Sequence, residues 1–88
     1  MKMLTVSSSV VQLTDGGYTF SKNTKYVSLD VQDNDAYVTF TGESASATVG
    51  HRLYAGRSYT LDADTARLAK FVSTGSVTSV IAASEFTD

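Results

Sequence analysis

Residues 26–41, with the sequence YVSLDVQDNDAYVTFT, decide the fold class of this chain. Apolar residues occupy every second position on both sides of the polar triplet 33–35, and a period of two predicts β-strands that bury one face. The Asp and Asn residues of the triplet predict a turn, because such side chains hydrogen-bond their own backbone. The stretch therefore predicts a β-hairpin in which Tyr26 and Tyr37 are cross-strand neighbours. The predicted core face consists of Val27, Leu29, Val31, Val38 and Phe40.

Short segments of the same kind, separated by turn residues, fill most of the remaining chain. Val, Ile, Tyr, Phe and Thr dominate them, which favours the pleated surface of a sheet. Residues 42–49 are small and polar, and they predict a loop or an edge segment. The other predicted strand segments are residues 5–14, 18–20, 50–54, 57–61, 71–72 and 77–86.

Residues 62–70 form the one segment with helical character, where Asp62 or Asp64 is a suitable N-cap for a single turn. Short strands at regular spacing predict an all-β fold. The expected architecture is a small antiparallel β-sandwich or barrel of seven to eight short strands, with at most one short helical turn. Alternation does not specify strand order, so both architectures stay open. Residues 1–88 are expected to form a single β domain, with residues 1–11 as a candidate extended arm.

The composition excludes several classes of protein. The chain has no Cys, which excludes a disulfide scaffold, a thiolate zinc site and a thiol nucleophile. Seven Lys and Arg residues stand against nine Asp and Glu residues, so there is no basic surplus for binding nucleic acid. No apolar run approaches the roughly twenty residues that cross a membrane. We therefore expect neither a nucleic-acid nor a membrane partner, and no cofactor.

The sequence offers little support for catalysis. His51 is the one imidazole, and no G-x-S-x-G nucleophile elbow accompanies it. Ser is so frequent that a Ser-His-Asp set could be written anywhere in the chain without meaning. A hydrogen-bonded residue at a strand end is the favoured interpretation of His51, and no enzymatic activity is expected.

Two groups of charged residues have alternative interpretations. Asp30, Asp33, Asn34 and Asp35 could bind Ca²⁺ as a loop, but the EF-hand pattern of Gly and Glu is missing, so a plain turn is favoured. A small basic patch could form from residues near the middle of the chain. Asp62 and Asp64 lie close in sequence, and solvated charges or local ion pairs are the favoured interpretation, since exposed pairs contribute little. The basic residues concerned are Arg52, Arg57, Arg67 and Lys70.

Hydroxyl and tyrosine side chains are abundant. Ser and Thr together supply 24 of the 88 residues, and five Tyr accompany no Trp. Hydroxyls leave water at a lower cost than ions, so an uncharged Ser/Thr face suits burial against a partner. Outward Tyr rings favour either an interface or ordinary cross-strand packing, and the residues alone leave both open.

Four segments of the chain stand in a recognisable order. They are Val31-Gln32-Asp33, Tyr37-Val38-Thr39-Phe40-Thr41-Gly42, Gly50-His51-Arg52-Leu53-Tyr54-Ala55-Gly56 and Tyr59-Thr60-Leu61. An x-V-x-F-x-G strand leads through a small-residue loop to a G-H-x-L-x-A-G element and an alternating strand, and closing strands follow from residues 71–72 to 77–83. This order, over roughly residues 26–84, resembles that of small structural proteins in the virions of tailed phages and prophages.

The resemblance implies a non-enzymatic capsid decoration (cement) protein that binds and stabilises the head shell. It would be made in the host cytoplasm and located in the virion. Its partners would be the major capsid protein or another virion protein and copies of itself, with a trimer as the favoured homo-oligomer. The alternative is a carbohydrate- or receptor-binding β module of a phage tail or fibre, in which exposed Tyr rings stack on sugars. The candidate partner-binding residues are Tyr18, Tyr26, Tyr37, Tyr54, Val6, Val10 and Phe86.

Overall fold

Short β-strands dominate the chain, as its alternating pattern predicts. The computed structural model describes residues 2–17, 19–46, 48–75 and 77–87. Within these ranges it contains eight strands, one 3₁₀ turn and one short helix. The strands are β1 (Lys2–Val6), β2 (Val11–Gln12), β3 (Tyr26–Asp33), β4 (Ala36–Thr39), β5 (His51–Leu53), β6 (Ser58–Asp62), β7 (Lys70–Ser73) and β8 (Ser79–Phe86); the 3₁₀ turn covers Asp15–Gly17 and the helix α1 covers Ala63–Leu68.

The strands form two four-stranded antiparallel sheets that face each other across one core. Sheet 1 has the order β1-β8-β3-β6, and sheet 2 has the order β2-β7-β4-β5. The prediction of a small antiparallel β-sandwich is therefore confirmed, and the closed barrel is not what the chain adopts. Val27, Leu29 and Val31 fill the core from sheet 1, while Val38 and Phe71 fill it from sheet 2.

The chain passes between the two sheets at every connection except the one from β4 to β5. The predicted hairpin over residues 26–41 is therefore wrong. β3 pairs with β6 and β8 in sheet 1, whereas β4 pairs with β5 and β7 in sheet 2. The triplet 33–35 is an arch that joins the sheets, so Tyr26 and Tyr37 are not cross-strand neighbours. Alternation correctly predicts which apolar residues face the core. It does not distinguish a hairpin from an arch, because both connections bury the same residues.

Backbone and side-chain contacts at the arch fix the crossing. Asn34 has a φ of 57°, a left-handed conformation that Asn tolerates better than most residues. Its Nδ2 donates to the carbonyl of Thr78 at 2.8 Å, and Ser79 Oγ donates to the Asn34 carbonyl at 2.9 Å. The β3–β8 register also shifts between Val31 and Asp33, a bulge that bends β3 toward the second sheet. The arch is thus fastened to the neighbouring crossing from β7 to β8.

The N-terminal segment is part of the sandwich and not an extended arm. β1 pairs with β8 along its whole length, and β2 pairs with β7. Val6 has no exposed surface, and Leu4 is also buried. The prediction of an arm over residues 1–11 is wrong because Leu4 and Val6 alternate with outward residues and complete the core under sheet 1.

The segment that predicted a single helical turn does form α1. Asp62 is its N-cap, and its carboxylate accepts from the backbone N–H and the hydroxyl of Thr65. Ala63 and Ala66 are buried beneath the helix. Among the residues that the structure describes, no helix has the length and apolar character needed to cross a membrane.

The predicted strand at residues 18–20 is absent from the part of this segment that the structure describes. Tyr18 lies outside the described residues, and Thr19 and Phe20 belong to no strand. Phe20 is 8% exposed and packs into the core, with the Arg67 guanidinium carbon 5.4 Å from its ring centroid. Phe20 is therefore apolar because it covers part of the core, and not because it belongs to a strand.

Candidate functional site

Two tyrosines and two arginines form one exposed group, here called the Tyr–Arg cluster (Tyr37, Arg52, Tyr54 and Arg57). Tyr37 on β4 is the register partner of Arg52 on β5. The guanidinium carbon of Arg52 lies 6.0 Å from the Tyr37 ring centroid and 5.6 Å from that of Tyr54. Arg57 approaches the Tyr54 ring at 5.6 Å as well. These distances are in the range of cation–π attraction, and Tyr and Arg are residues that carry much of the energy at protein interfaces.

Asp35 fastens the Tyr–Arg cluster to the arch between the sheets. Its Oδ2 accepts from Arg52 Nε at 2.9 Å and from Nη2 at 2.7 Å, and its Oδ1 accepts from the Ala55 backbone N–H at 2.7 Å. The backbone N–H of Tyr54 donates to the Tyr59 hydroxyl at 2.9 Å. The exposed ring of Tyr54 therefore stands on a fixed backbone, which reduces the ordering cost of binding a partner.

The same contacts shift the titration of the ion pair. The Ala55 backbone N–H, followed by the hydrogen bond from Arg52, holds the pKa of Asp35 below its ordinary value of 3.8. The hydrogen bond to Asp35 in turn raises the pKa of Arg52. Both side chains are therefore charged throughout the neutral range.

Asp35→Asn is expected to lower stability at neutral pH and to remove part of the acid sensitivity of folding. Because the folded pKa of Asp35 is below its unfolded value, its stabilisation is fully present above the unfolded pKa and is lost as pH falls through the folded pKa. Urea midpoints of the wild type and the variant should therefore differ near neutrality and converge in acid. Arg57→Gln is the control, and an offset that stays constant at every pH would contradict the assignment.

The outer face of sheet 1 forms a second exposed region, here called the hydroxyl face. Tyr26 and Phe86 are register partners near one end of β3 and β8, and they are 46% and 51% exposed. Ser28 lies next to both Ser84 and Thr60 across the sheet. By strand alternation, the outward residues include the carboxylates of β3 and β6 but no Lys or Arg. The hydroxyl face comprises Met3, Thr5, Tyr26, Ser28, Thr60, Ser84 and Phe86.

The predicted partner-binding residues thus divide between the two regions. Tyr37 and Tyr54 meet around Arg52, whereas Tyr26 and Phe86 meet on the hydroxyl face. Val6 is the one clear error, because it is fully buried and belongs to the core, where no partner can reach it. The other two predicted residues are Val10, which is 39% exposed in the connection between β1 and β2, and Tyr18, which lies outside the described residues.

Of the four basic residues, Arg52 and Arg67 each form an ion pair, whereas Arg52 and Arg57 both approach the Tyr54 ring. Arg67 Nη1 lies 2.8 Å from Asp64 Oδ1, as predicted, while Arg52 pairs with Asp35. The candidate calcium loop is divided as well, since Asp30 lies on sheet 1 and the Asp35 carboxylate is held by Arg52. Across the described ranges, no three His, Asp or Glu side chains come together in a way that could hold a metal ion.

A groove beside β4 and β5 escaped the sequence prediction. His51 stacks on Phe40, with ring centroids 5.4 Å apart and an angle of 29° between the planes. The open groove measures about 420 Å³, and Thr41 Oγ1 donates to Glu43 Oε1 at its rim at 3.1 Å. Sequence spacing does not predict it, because Phe40 and His51 come together only through the pairing of β4 with β5.

Comparison with known proteins identifies no relative of this chain: no protein-family model, no curated protein and no solved structure matches it. Function must therefore be inferred from the surfaces described above and from the sequence resemblance.

Proposed function

We propose that this protein is a non-enzymatic structural protein of a phage virion, most specifically a capsid decoration (cement) protein. It binds the major capsid protein or another virion protein, stabilises the head shell, and is made in the host cytoplasm before joining the virion. The sequence resemblance over roughly residues 26–84 suggests this role. The observation that carries the proposal in the structure is the hydroxyl face.

The hydroxyl face has the chemistry of a surface that becomes buried. Tyr26, Phe86 and Met3 are each about half exposed; Tyr26 and Phe86 lie side by side, and Ser28 and Ser84 follow them along the two strands. Exposed apolar side chains of this size release free energy when a partner removes them from water, at about 25 cal/mol for each Å². Ser and Thr between them can be desolvated at a moderate cost when the partner supplies hydrogen bonds. A sheet face without cations therefore suits a protein surface better than a phosphate backbone.

Preferential binding to the assembled shell explains how such a protein would act. A ligand that binds the intact shell and not the separated subunits stabilises the shell by mass action. Repetition over many identical sites then gives a large total effect from a modest affinity at each site. A small, rigid sandwich suits this task, since its core already fixes the face that docks.

Loss of the two aromatic side chains on the hydroxyl face should weaken binding to heads. Aromatic anchors at the centre of an interface commonly cost about 2 kcal/mol or more when truncated, which is more than tenfold in affinity. The double variant Tyr26→Ser with Phe86→Ser should therefore co-sediment with heads prepared without this protein at least about tenfold less tightly than the wild type.

Leu68→Ser is the matched control for that experiment, because Leu68 on α1 is, like Phe86, about half exposed and lies outside the hydroxyl face. It should bind like the wild type. Equal binding by the double variant and the wild type would remove the hydroxyl face from the interface. Failure of the wild type to co-sediment with any head or tail preparation would refute the proposed function itself.

The groove beside Phe40 favours a second candidate function, a carbohydrate- or receptor-binding module of a phage tail or fibre. A stacked aromatic pair with hydroxyl and carboxylate groups at its rim could hold a sugar ring. In that case His51→Ala should abolish saturable signals on a glycan array, while Leu68→Ser should leave them intact. An array without saturable signals for the wild type would eliminate this alternative.

A further inference from the structure

The free edge of sheet 1 is formed by β6, and its hydrogen-bonding groups can be assigned. The Val31 backbone N–H donates to the Arg57 carbonyl at 3.0 Å, and the Ala63 N–H donates to the Lys25 carbonyl at 2.9 Å. In an antiparallel ladder, alternate residues direct both backbone groups to the same neighbour. The odd-numbered residues of β6 therefore face β3. Ser58 and Thr60 direct their N–H and C=O groups outward to the free edge, whereas the carbonyl of Asp62, the N-cap of α1, belongs to the first turn of the helix.

This edge has few of the features that protect edge strands against pairing. Natural edge strands are commonly protected by Pro, a bulge, an inward charge or a very short length. The β3–β6 register is unbroken over five residues, and the chain has no Pro. At the opposite edge of the same sheet, β1 begins with Lys2, while the sheet 2 edges β2 and β5 have two and three residues. β6 is thus the edge best able to accept another strand.

We propose that β6 pairs antiparallel with β6 of a second copy of this chain, about a two-fold axis at Thr60. The two Thr60 backbones would then exchange hydrogen bonds, and Ser58 would lie opposite Asp62 of the other copy. Sheet 1 would continue across the axis as one extended sheet. A two-fold interface of this kind uses the same strand on both copies.

The strand is self-complementary in this orientation. Ser58 begins β6 and Asp62 ends it, so antiparallel pairing places a hydroxyl, and not a second carboxylate, opposite each Asp62. The Ser58 hydroxyl would face the Asp62 carboxylate, and no like charges would stand opposite each other along β6. On the inner side, the half-buried Tyr59 would lie beside Leu61 of the second copy, and each would cover the other's remaining exposed surface.

This inference goes beyond the proposed function and does not depend on it, since self-association is measured without any virion component. It also differs from the trimer that the sequence resemblance favours. Pairing through one isologous edge occupies β6 in both copies and closes the assembly at two. Native mass spectrometry therefore distinguishes the two outcomes, and a trimer without a dimer would overturn the proposal.

Charge exchange at Thr60 provides the sharpest test, because a residue on a two-fold axis meets its own copy. Thr60→Glu and Thr60→Lys should each dissociate about fivefold more readily than the wild type, since like charges directly opposite one another destabilise a strand pair. An equimolar mixture of the two variants should restore the dimer as a heterodimer. Thr60→Val, which keeps the backbone N–H and the β-branched shape, should dimerise like the wild type. Monomeric wild type at high concentration, or no recovery on mixing, would contradict the inference.

Cross-linking gives an independent readout in a chain without native Cys. Directly opposite residues in a hydrogen-bonded pair have Cα atoms about 5.5 Å apart, within the span of a disulfide. Thr60→Cys should therefore form a covalent dimer on mild oxidation, at a rate that barely changes with dilution. Thr5→Cys, at an exposed Thr of the opposite edge strand, is the control and should remain monomeric. Equal cross-linking of the two variants would overturn the pairing at β6.

Discussion

Phe71→Ala is expected to cost about 3–5 kcal/mol of folding free energy, the usual range for truncating a fully buried Phe. Phe71 is among the largest side chains with no exposed surface. It lies on β7 in the interior of sheet 2, with Val38 and Val11 as register partners on either side. The lost ring would leave a cavity between the sheets, because the surrounding strands are fixed by their ladders and can collapse only partly.

For a domain of this size, such a loss removes about half of the stability, which by length is on the order of 5–10 kcal/mol. Urea unfolding followed by circular dichroism measures it, and the midpoint should move far toward zero denaturant. Phe86→Ala is the matched control, since Phe86 is 51% exposed on the hydroxyl face and should change the midpoint little. Similar losses for both variants would contradict the burial of Phe71.

Gly50→Ala should have the second largest effect, about 2–4 kcal/mol, from backbone strain combined with a steric clash. Gly50 has a φ of +135°, a conformation that L side chains rarely adopt. A Cβ at this position would lie 2.8 Å from the Val38 carbonyl oxygen, which is backbone in the neighbouring strand and cannot move aside cheaply. The first residue of the G-H-x-L-x-A-G element is therefore required by the close approach of β4 and the start of β5.

Gly56→Ala is the control that separates the cost of backbone strain from the cost of the steric clash. Gly56 also has a positive φ, of 82°, but its added Cβ would meet nothing within 4 Å. It should lose only about 1 kcal/mol. Thermal unfolding of both variants gives the comparison, and equal losses would show that the contact with Val38 does not matter.

Strand positions could be predicted from the sequence because period-two alternation records which residues are buried. Strand partners could not, because alternation is the same for a hairpin and for an arch. The triplet 33–35 illustrates this: its turn chemistry is evident, but what sends β4 to the other sheet is distant in sequence. Asn34 bonds to Thr78, and Ser79 bonds back to Asn34. The short helix was predictable since its cap, Asp62, and its buried Ala residues are all local.

For the candidate surfaces too, the outward residues could be predicted from the sequence, but their neighbours could not. Outward Tyr residues were predictable one by one from alternation, but their grouping depended on strand order. Tyr26 lies next to Phe86 because β8 and not β4 is the neighbour of β3. Tyr37 meets Tyr54 through Arg52, and the carboxylate that holds Arg52 comes from the arch. A segment rich in Ser and Thr predicts a free arm, but Leu4 and Val6 within it complete the core, so Val6 is not available to a partner.

A saturation measurement with phage heads tests the proposal that this chain is a shell-binding protein. Increasing amounts of wild-type protein are sedimented with assembled heads that lack it, and separately mixed with dissociated capsid subunits. We predict saturable binding to the heads at a fixed ratio to the capsid protein, weak binding to the subunits, and greater resistance of the decorated heads to heat. Binding that never saturates, or no protein in the head pellet, would contradict it.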